Sequence, residues 1–311
     1  MIFKRKEKEE DVQNQFLNVS KKVNIAIVAL FTLLALCCLI PLVFVAIISL
    51  SSEASINEMG FQFIPKEWSM DAYEYVLQDG GMLMKAFANS IIITISGTVI
   101  GLVLTTTYAY VLTRKEYKLQ KFLSYVMLVT MLFNGGMVAR YMLITRMLGW
   151  KNTLWALIIP GAVSAFNIIV LRTFIKTTVP DEIIESARID GASEMKTFFK
   201  IVLPISVPGI ATIGLFLTLA YWNQWMPSML YTEKESLYTL QYLLMQIERN
   251  MEFISQNADK MGAGFLDSIA NLPTETAKMA IVVLSTLPIA CAYPFFQKYF
   301  ISGLTVGAVK G

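Results

Sequence analysis

Six stretches of this chain carry no charge at all. Runs of at least 18 residues without Asp, Glu, Lys or Arg cover 23–52, 86–113, 122–139, 152–171, 201–232 and 279–297, and no other run is as long. A bilayer core is crossed by about 20 apolar residues of helix. Inside it no water satisfies a bare N–H or C=O, so each stretch must close its own backbone hydrogen bonds as a helix. The pattern predicts an all-α polytopic membrane protein with six transmembrane helices. Only 16% of residues are charged, against about a quarter in a soluble domain.

Lysine and arginine orient these helices. With the N-terminus inside, the inner segments hold 17 of the 26 basic residues and the outer loops nine, although the outer loops are longer. Both termini are therefore expected in the cytoplasm. Arg140, Arg146 and Lys151 run against the bias, lying in an outer loop without acidic neighbours in sequence. The net charge of +3 reflects the inner-face excess and implies no nucleic-acid partner.

Absences narrow the function. Histidine is missing altogether, which removes the commonest general base and metal ligand. Cys37, Cys38 and Cys291 lie inside spans without metal-ligand or disulfide spacing, and read as packing residues. There is no G-x-x-x-x-G-K-[S/T] phosphate loop. No span holds a carboxylate pair, which argues against a proton-coupled carrier. No nucleophile–base pair suggests an enzyme, so no catalytic residue, cofactor or metal is expected.

The expected organisation is a cytoplasmic tail (1–22), a membrane domain (23–300) and a small-residue tail (301–311), with helices near 24–50, 87–112, 121–139, 152–176, 205–230 and 279–298. The outer segment 51–85 contains Pro65, Trp68, Tyr73 and Tyr75 and reads as compact, with short helices. The third helix should break at Asn134-Gly135-Gly136 and lead to a short surface helix over 140–151. The longest outer loop covers 231–278.

Between the fourth and fifth spans lies an inner loop, 177–204. Thr178, Pro180, Asp181 and Glu182 are helix-start chemistry. Gly191 can end that helix in a left-handed conformation. Ser193 can cap a second short helix running to Leu203, before Pro204. The loop reads Glu185-Ser186-Ala187, three residues, Gly191, nine residues, then Ile201-Val202-Leu203-Pro204. This spacing resembles the "EAA…G…I-x-L-P" loop of ABC importer permeases, on which the ATPase pushes. The alternative is an amphipathic helical hairpin lying on the membrane.

A coupling loop has to carry motion from a soluble ATPase to helices in the bilayer. Small residues allow close approach, and Ser186, Ala187, Gly191 and Ala192 supply them. Ile184, Ile189, Met195, Phe198 and Phe199 are candidate apolar anchors, although Phe198 and Phe199 equally suit packing under the bundle. Leu203-Pro204 ties the loop to the next span. The candidate coupling residues are thus Glu185, Ser186, Ala187, Asp190, Gly191, Ala192, Met195, Phe198, Leu203 and Pro204.

The rest of the chain is similar to the binding-protein-dependent sugar permeases of the maltose-importer class. Asn89-Ser90, the Ala109–Arg114 helix ending, Asn167 and the glycine-rich C-terminal tail fit that family. Phe133-Asn134-Gly135-Gly136 resembles a smaller-loop subfamily common in Gram-positive bacteria, whose members import oligosaccharides. Ser186 replaces the first alanine of the loop motif, and Ala139 stands where the subfamily usually has proline. The resemblance implies a type I ABC importer permease fold in the bacterial plasma membrane, with sugar as substrate. It also implies a heterodimer with a second homologous permease, two ATP-binding cassette subunits and an extracellular solute-binding lipoprotein. Rival functions are an ABC permease for a peptide or amino acid, and a stand-alone secondary carrier.

Tyr221-Trp222-Asn223-Gln224-Trp225 is the candidate sugar path. Aromatic faces hold sugar C–H surfaces and amides hold hydroxyls. On a continuous helix Trp222 and Trp225 would share a face, with Asn223 off it. An aromatic belt at the outer interface explains the same residues. Asn89, Asn134 and Asn167 are weaker candidates that interhelical hydrogen bonding also explains. Met261-Gly262-Ala263-Gly264 in the outer loop is expected to reach the binding protein's sugar cleft, or else to cap the pore mouth.

Overall fold

A computed structural model describes residues 21–78, 80–257 and 273–308. Among these residues all repeating secondary structure is helical, and one isolated bridge joins Ser51 to Trp68. Three helices are long and apolar enough to cross a membrane alone, and six spans result if each of three bent helix pairs counts as one. The three are α1 (Lys21–Ser49), α4 (Gly80–Thr113) and α14 (Thr274–Ala308). Two short helices, α2 (Glu53–Met59) and α3 (Asp71–Leu77), fill the segment between α1 and α4, as the sequence predicts.

Helix α4 is the axis of the molecule. Its 34 residues span about 50 Å, well beyond a hydrocarbon core of about 30 Å. Two glycines let a neighbour close on it. A Cβ on Gly97 would sit 2.4 Å from the ring of Tyr221, and one on Gly101 would meet Leu217 at 2.9 Å. Both neighbours belong to α11 (Val207–Trp222).

The three bent pairs correct the expectation of continuous spans. The third predicted helix stops as α5 (Gln120–Leu132) and resumes, turned by 117°, as α6 (Gly136–Met147). Gly136 has φ +79°, and Asn134 Oδ1 accepts from Gly136 N at 3.0 Å. The break is therefore where the sequence put it, but the predicted span shortens to 13 residues. The fourth is divided into α7 (Trp155–Gly161) and α8 (Ala165–Thr178), 47° apart. Pro160 and Gly161 lie at the end of α7, and Ser164 is extended. Proline supplies no N–H to a continuing helix. The fifth begins only at Val207, after a 78° bend from α10 (Glu194–Ile205), and ends at Trp222. A separate α12 (Met226–Tyr231) follows.

The outer loop 231–278 contains a helix that the sequence reading missed, α13 (Leu240–Asn257). Leu240, Leu243, Leu244 and Met251 are its positions in the core, a helical spacing that was legible in the sequence, and Tyr242 beside them is also buried. Helix α14 starts at Thr274 and runs to Ala308, past the expected end near 298. Glu53 holds its start, with Oε1 accepting from Glu275 N and Oε2 from Thr276 N, both at 3.0 Å.

Two apolar cores result. The larger joins α4, α7, α8 and α11 through Ile93, Leu112, Leu157, Leu171, Ile175 and Ile213. The smaller packs α3, α13 and α14 around Trp222 and the start of α4. Much of α1 is exposed apolar surface, including Ile25, Phe31, Leu34 and Leu42.

Candidate functional site

The loop between α8 and α11 folds as a helix–turn–helix. Helix α9 (Asp181–Ile189) opens with Asp181 and Glu182 in its first turn, where carboxylates complement the helix dipole. The cap position falls on Pro180, not on Thr178. Gly191 closes the helix at φ +74°, with Gly191 N donating to Arg188 O at 3.0 Å and Ala192 N to Ala187 O at 2.9 Å. Ser193 Oγ accepts from Lys196 N at 3.3 Å and caps α10. A π-helical turn, Phe198–Val202, follows, and α10 continues through Pro204 to Ile205 rather than stopping at Leu203.

Charge fastens this hairpin to the end of α4. Glu194 is the hub. It accepts from Tyr110 Oη at 2.7 Å, from Arg114 Nη2 at 3.0 Å and from Arg188 Nη2 at 3.3 Å. Arg188 also donates to Glu116 at 2.6 Å, and Lys115 pairs with Asp181 at 3.3 Å. Partial burial would raise the Glu194 carboxyl, but the hydrogen bonds from Tyr110, Arg114 and Arg188 outweigh it and hold the group below the usual carboxylate range. The sequence reading missed Glu194, Tyr110 and Arg114 as parts of this site. The single available signal was Glu194 following the cap Ser193, which reads as ordinary first-turn chemistry.

The hairpin then presents a mixed surface. Glu185, Ser186, Asp190, Gly191 and Pro204 are exposed. So are Ile189, Met195 and Phe199, the first by 86%. Ala187 is buried, while Ala192 and Leu203 are half-buried. Two of the proposed anchors turn inward. Ile184 and Phe198 are both 7% exposed and belong to the larger core. Phe198 lies 5.0 Å from the Tyr110 ring, so it packs under the bundle, while Phe199 stays outside. A cavity of 510 Å³ opens beside it, lined by Thr107, Tyr110, Arg114, Met195 and Phe199 among others.

Asn89 lies 21 residues before Tyr110 on α4, or about 30 Å along the helix. Asn89 Nδ2 donates to Ser236 O at 2.8 Å and Tyr238 O at 3.1 Å, and Ser90 Oγ accepts from Leu240 N at 2.8 Å. Asn89 thus holds the turn before α13, and Ser90 holds the first residue of α13. Asn167 is buried in α8.

Tyr221 through Trp225 straddle the end of α11. The helix stops at Trp222 and Asn223 is its cap residue, so the expected common face of Trp222 and Trp225 does not form. Tyr221 is buried and donates to Ile158 O at 2.6 Å. Trp222 is also buried, donates through Nε1 to Ser285 O at 3.0 Å and meets Phe87 edge-on. Asn223 and Trp225 remain exposed beyond the helix end. Met261, Gly262, Ala263 and Gly264 lie outside the described residues. Among the described residues no group of His, Cys, Asp and Glu side chains has metal-site geometry.

Comparison with known proteins converges on one description. The family described as "Binding-protein-dependent transport system inner membrane component" matches residues 97–306. The chain is 37% identical over 277 residues to the polygalacturonan/rhamnogalacturonan transport system permease protein YtcP of Bacillus subtilis, covering 89% of this chain and 94% of that one. It is 28% identical over 284 residues to the trehalose/maltose transport system permease protein MalG of Thermococcus litoralis, covering 90% and 94%. A crystal structure of a bacterial ABC transporter involved in the import of the acidic polysaccharide alginate contains a chain with TM-score 0.74 and 29% identity. The match covers 91% of this chain and 99% of that one.

Proposed function

Since the chain belongs to the family of binding-protein-dependent transport system inner membrane components, we infer that it is the permease subunit of an ATP-driven ABC importer for carbohydrate. It is a multi-pass protein of the bacterial plasma membrane and a component of a transport complex, not itself an enzyme; separate subunits hydrolyse ATP. The substrate is an oligosaccharide. The complete importer has this chain beside a second, homologous permease, with two ATP-binding cassette subunits and an extracellular solute-binding lipoprotein. Both termini face the cytoplasm and six spans cross the bilayer.

One observation carries the assignment of roles: the hairpin of α9 and α10 is tied by charge to the end of α4 and leaves an exposed surface. A lever of that kind transmits force only if it does not bend where it joins the membrane helices. Glu185, Ser186, Asp190, Gly191, Met195 and Phe199 form the face that meets the ATPase, with Ala187, Ala192, Leu203 and Pro204 supporting it. ATP binding closes the ATPase dimer, draws the hairpins together and turns the cavity outward.

Topology tests the orientation on which this rests. In a variant lacking the three native cysteines, Gln62→Cys is expected to react with an impermeant thiol reagent from outside intact cells, and Lys118→Cys only after permeabilisation. Labelling of position 118 in intact cells would invert the protein and remove the hairpin from the ATPase.

The sugar path follows Asn223 and Trp225, which are open, rather than Tyr221 and Trp222, which are packed. The two tryptophans should therefore separate. Trp225→Ala is expected to lower uptake with the complex fully assembled, by roughly tenfold for a lost stacking contact of about 1 kcal/mol or more. Trp222→Ala removes a buried ring and one hydrogen bond and should destabilise the subunit by about 3 kcal/mol, seen as a lowered melting temperature in detergent. A wild-type transport rate for Trp225→Ala would take the path away from this segment.

A further inference from the structure

The helix breaks at the end of the molecule opposite the hairpin do not scatter. They border one cavity of 230 Å³. Asn134, Gly136 and Arg140 come from the 117° turn between α5 and α6, Pro160 from the last turn of α7, and Gln224 and Tyr231 from the break after α11 and from α12. Interrupted backbone within a membrane domain is tolerated where it is buried in protein or lines a cavity. Discontinuous helices are how transporters bring polar groups to a solute. The volume is that of about eight liquid waters, on the scale of one sugar residue.

Two groups lining this cavity carry donors that nothing among the described residues accepts: Arg140, which is exposed, and the buried amide of Gln224. Arg140 has five N–H donors, and its recorded bond is Nη2 to Pro160 O at 2.8 Å. Among the described residues no carboxylate pairs with it. Lys151, the next but one basic residue along the chain, differs: it pairs with Glu233 at 2.6 Å. The second group is Gln224 Nε2, which is buried with no acceptor. The Gln224 backbone is held by Thr239 Oγ1, which donates to its carbonyl at 3.1 Å. A guanidinium and an amide N–H that both lack acceptors, in one cavity, ask for a ligand rich in acceptors and bearing negative charge. Arginine meets a carboxylate with two parallel hydrogen bonds, a geometry no neutral hydroxyl reproduces.

We propose that this cavity is a carboxylate-recognising station on the sugar path, where Arg140 receives the acid group of a uronic-acid residue and Gln224 donates to the same residue. The inference rests on the carbohydrate reading and adds to it the chemical class of the sugar: an acidic oligosaccharide. The 117° bend at Asn134–Gly136 sets the direction of α6, on which Arg140 lines the cavity wall.

The test uses the whole importer with its binding protein in liposomes. Three probes are compared: trigalacturonate, its full methyl ester and the neutral trimer maltotriose. Wild type is expected to import trigalacturonate. Arg140→Gln should lower that rate by about tenfold or more, the worth of a charge-assisted hydrogen bond, and Arg140→Lys should restore part of it. Any import of the methyl ester should be the same in wild type and Arg140→Gln. Gln224→Met, which keeps the length and removes the donor, should lower trigalacturonate uptake several-fold. Trigalacturonate carried equally well by Arg140→Gln would overturn the proposal. So would maltotriose carried by wild type in preference to the acid. If Arg140→Gln fails to assemble with the other subunits while Gln224→Met transports normally, Arg140 serves the subunit interface and the proposal falls. Import of a peptide but none of the three sugars would refute the carbohydrate reading, and this assignment with it.

Discussion

Replacing Gly191 with valine is expected to abolish uptake while the protein stays in the membrane. Gly191 sits at φ +74°, a region that costs an L-residue about 1–2 kcal/mol and is worst for a β-branched side chain. Packing within the chain is not the obstacle, because a Cβ built at this position meets nothing within 4 Å. The damage is of two other kinds. Strain at the turn shifts α10 against α9, and the added side chain projects from the exposed surface that we assign to the ATPase. Both act on coupling and neither on insertion. Substrate-stimulated ATP hydrolysis should therefore fall to the basal level, a drop of about a hundredfold if some 3 kcal/mol of docking is lost. Gly191→Asn gives the control, since asparagine tolerates the left-handed region. It should keep the turn and lose less. Full activity in Gly191→Val would show that the turn is not pressed against a partner.

Neutralising Glu194 is the second large change. Exposed ion pairs are individually worth less than about 1 kcal/mol, and by that measure Glu194, with its side chain 55% exposed, would be unimportant. Its position as a hub decides otherwise. Three donors converge on one carboxylate, from α4, from the loop after it and from α9. Arg114 is only 16% exposed and keeps its charge when the partner is lost. Glu194→Gln preserves the shape but not the charge, and should lower uptake about tenfold, as expected for the loss of one to two charge-assisted bonds. A parallel fall in protection of the α9–α10 hairpin from proteolysis would show that the brace has loosened. Wild-type uptake with an intact hairpin would mean that the ion pairs only decorate it.

Acid should reproduce that mutation. The folded-state value for Glu194 lies below its ordinary one, held there by the hydrogen bonds from Tyr110, Arg114 and Arg188 against partial burial. A depressed carboxylate stabilises fully above its unfolded value of about 4.3. The contribution disappears as pH falls through the folded value. The brace is therefore complete at neutral pH and lost only in strong acid. In Glu194→Gln this portion of the acid-induced loosening of the hairpin should be absent.

The division between local and distant information runs through every element of this molecule. Hydropathy acts residue by residue, so charge-free runs were enough to indicate an all-α protein with several candidate membrane helices. Capping is equally local. Ser193 beside Lys196 and glycine at position 191 adopt the conformations that their own chemistry favours. The break at Asn134–Gly136 was legible for the same reason, since an Asx turn and a positive φ need only three consecutive residues. The size of that bend, 117°, was not, because it depends on what α6 packs against. The interruptions at Ser164 and after Trp222 were missed, since apolar composition continues across them and nothing in it distinguishes a straight helix from a broken one. The brace on the hairpin unites Arg114 and Glu194, 80 residues apart, and Tyr110 with Glu194, 84 apart. No local rule pairs them. Trp222 and Trp225 make the same point at the other end. Their spacing of three promised a shared face, but the helix ends between them, so one ring packs inside and the other remains open. Side-chain direction was decided by tertiary packing, while the need for helices was decided by the bilayer acting on the sequence alone.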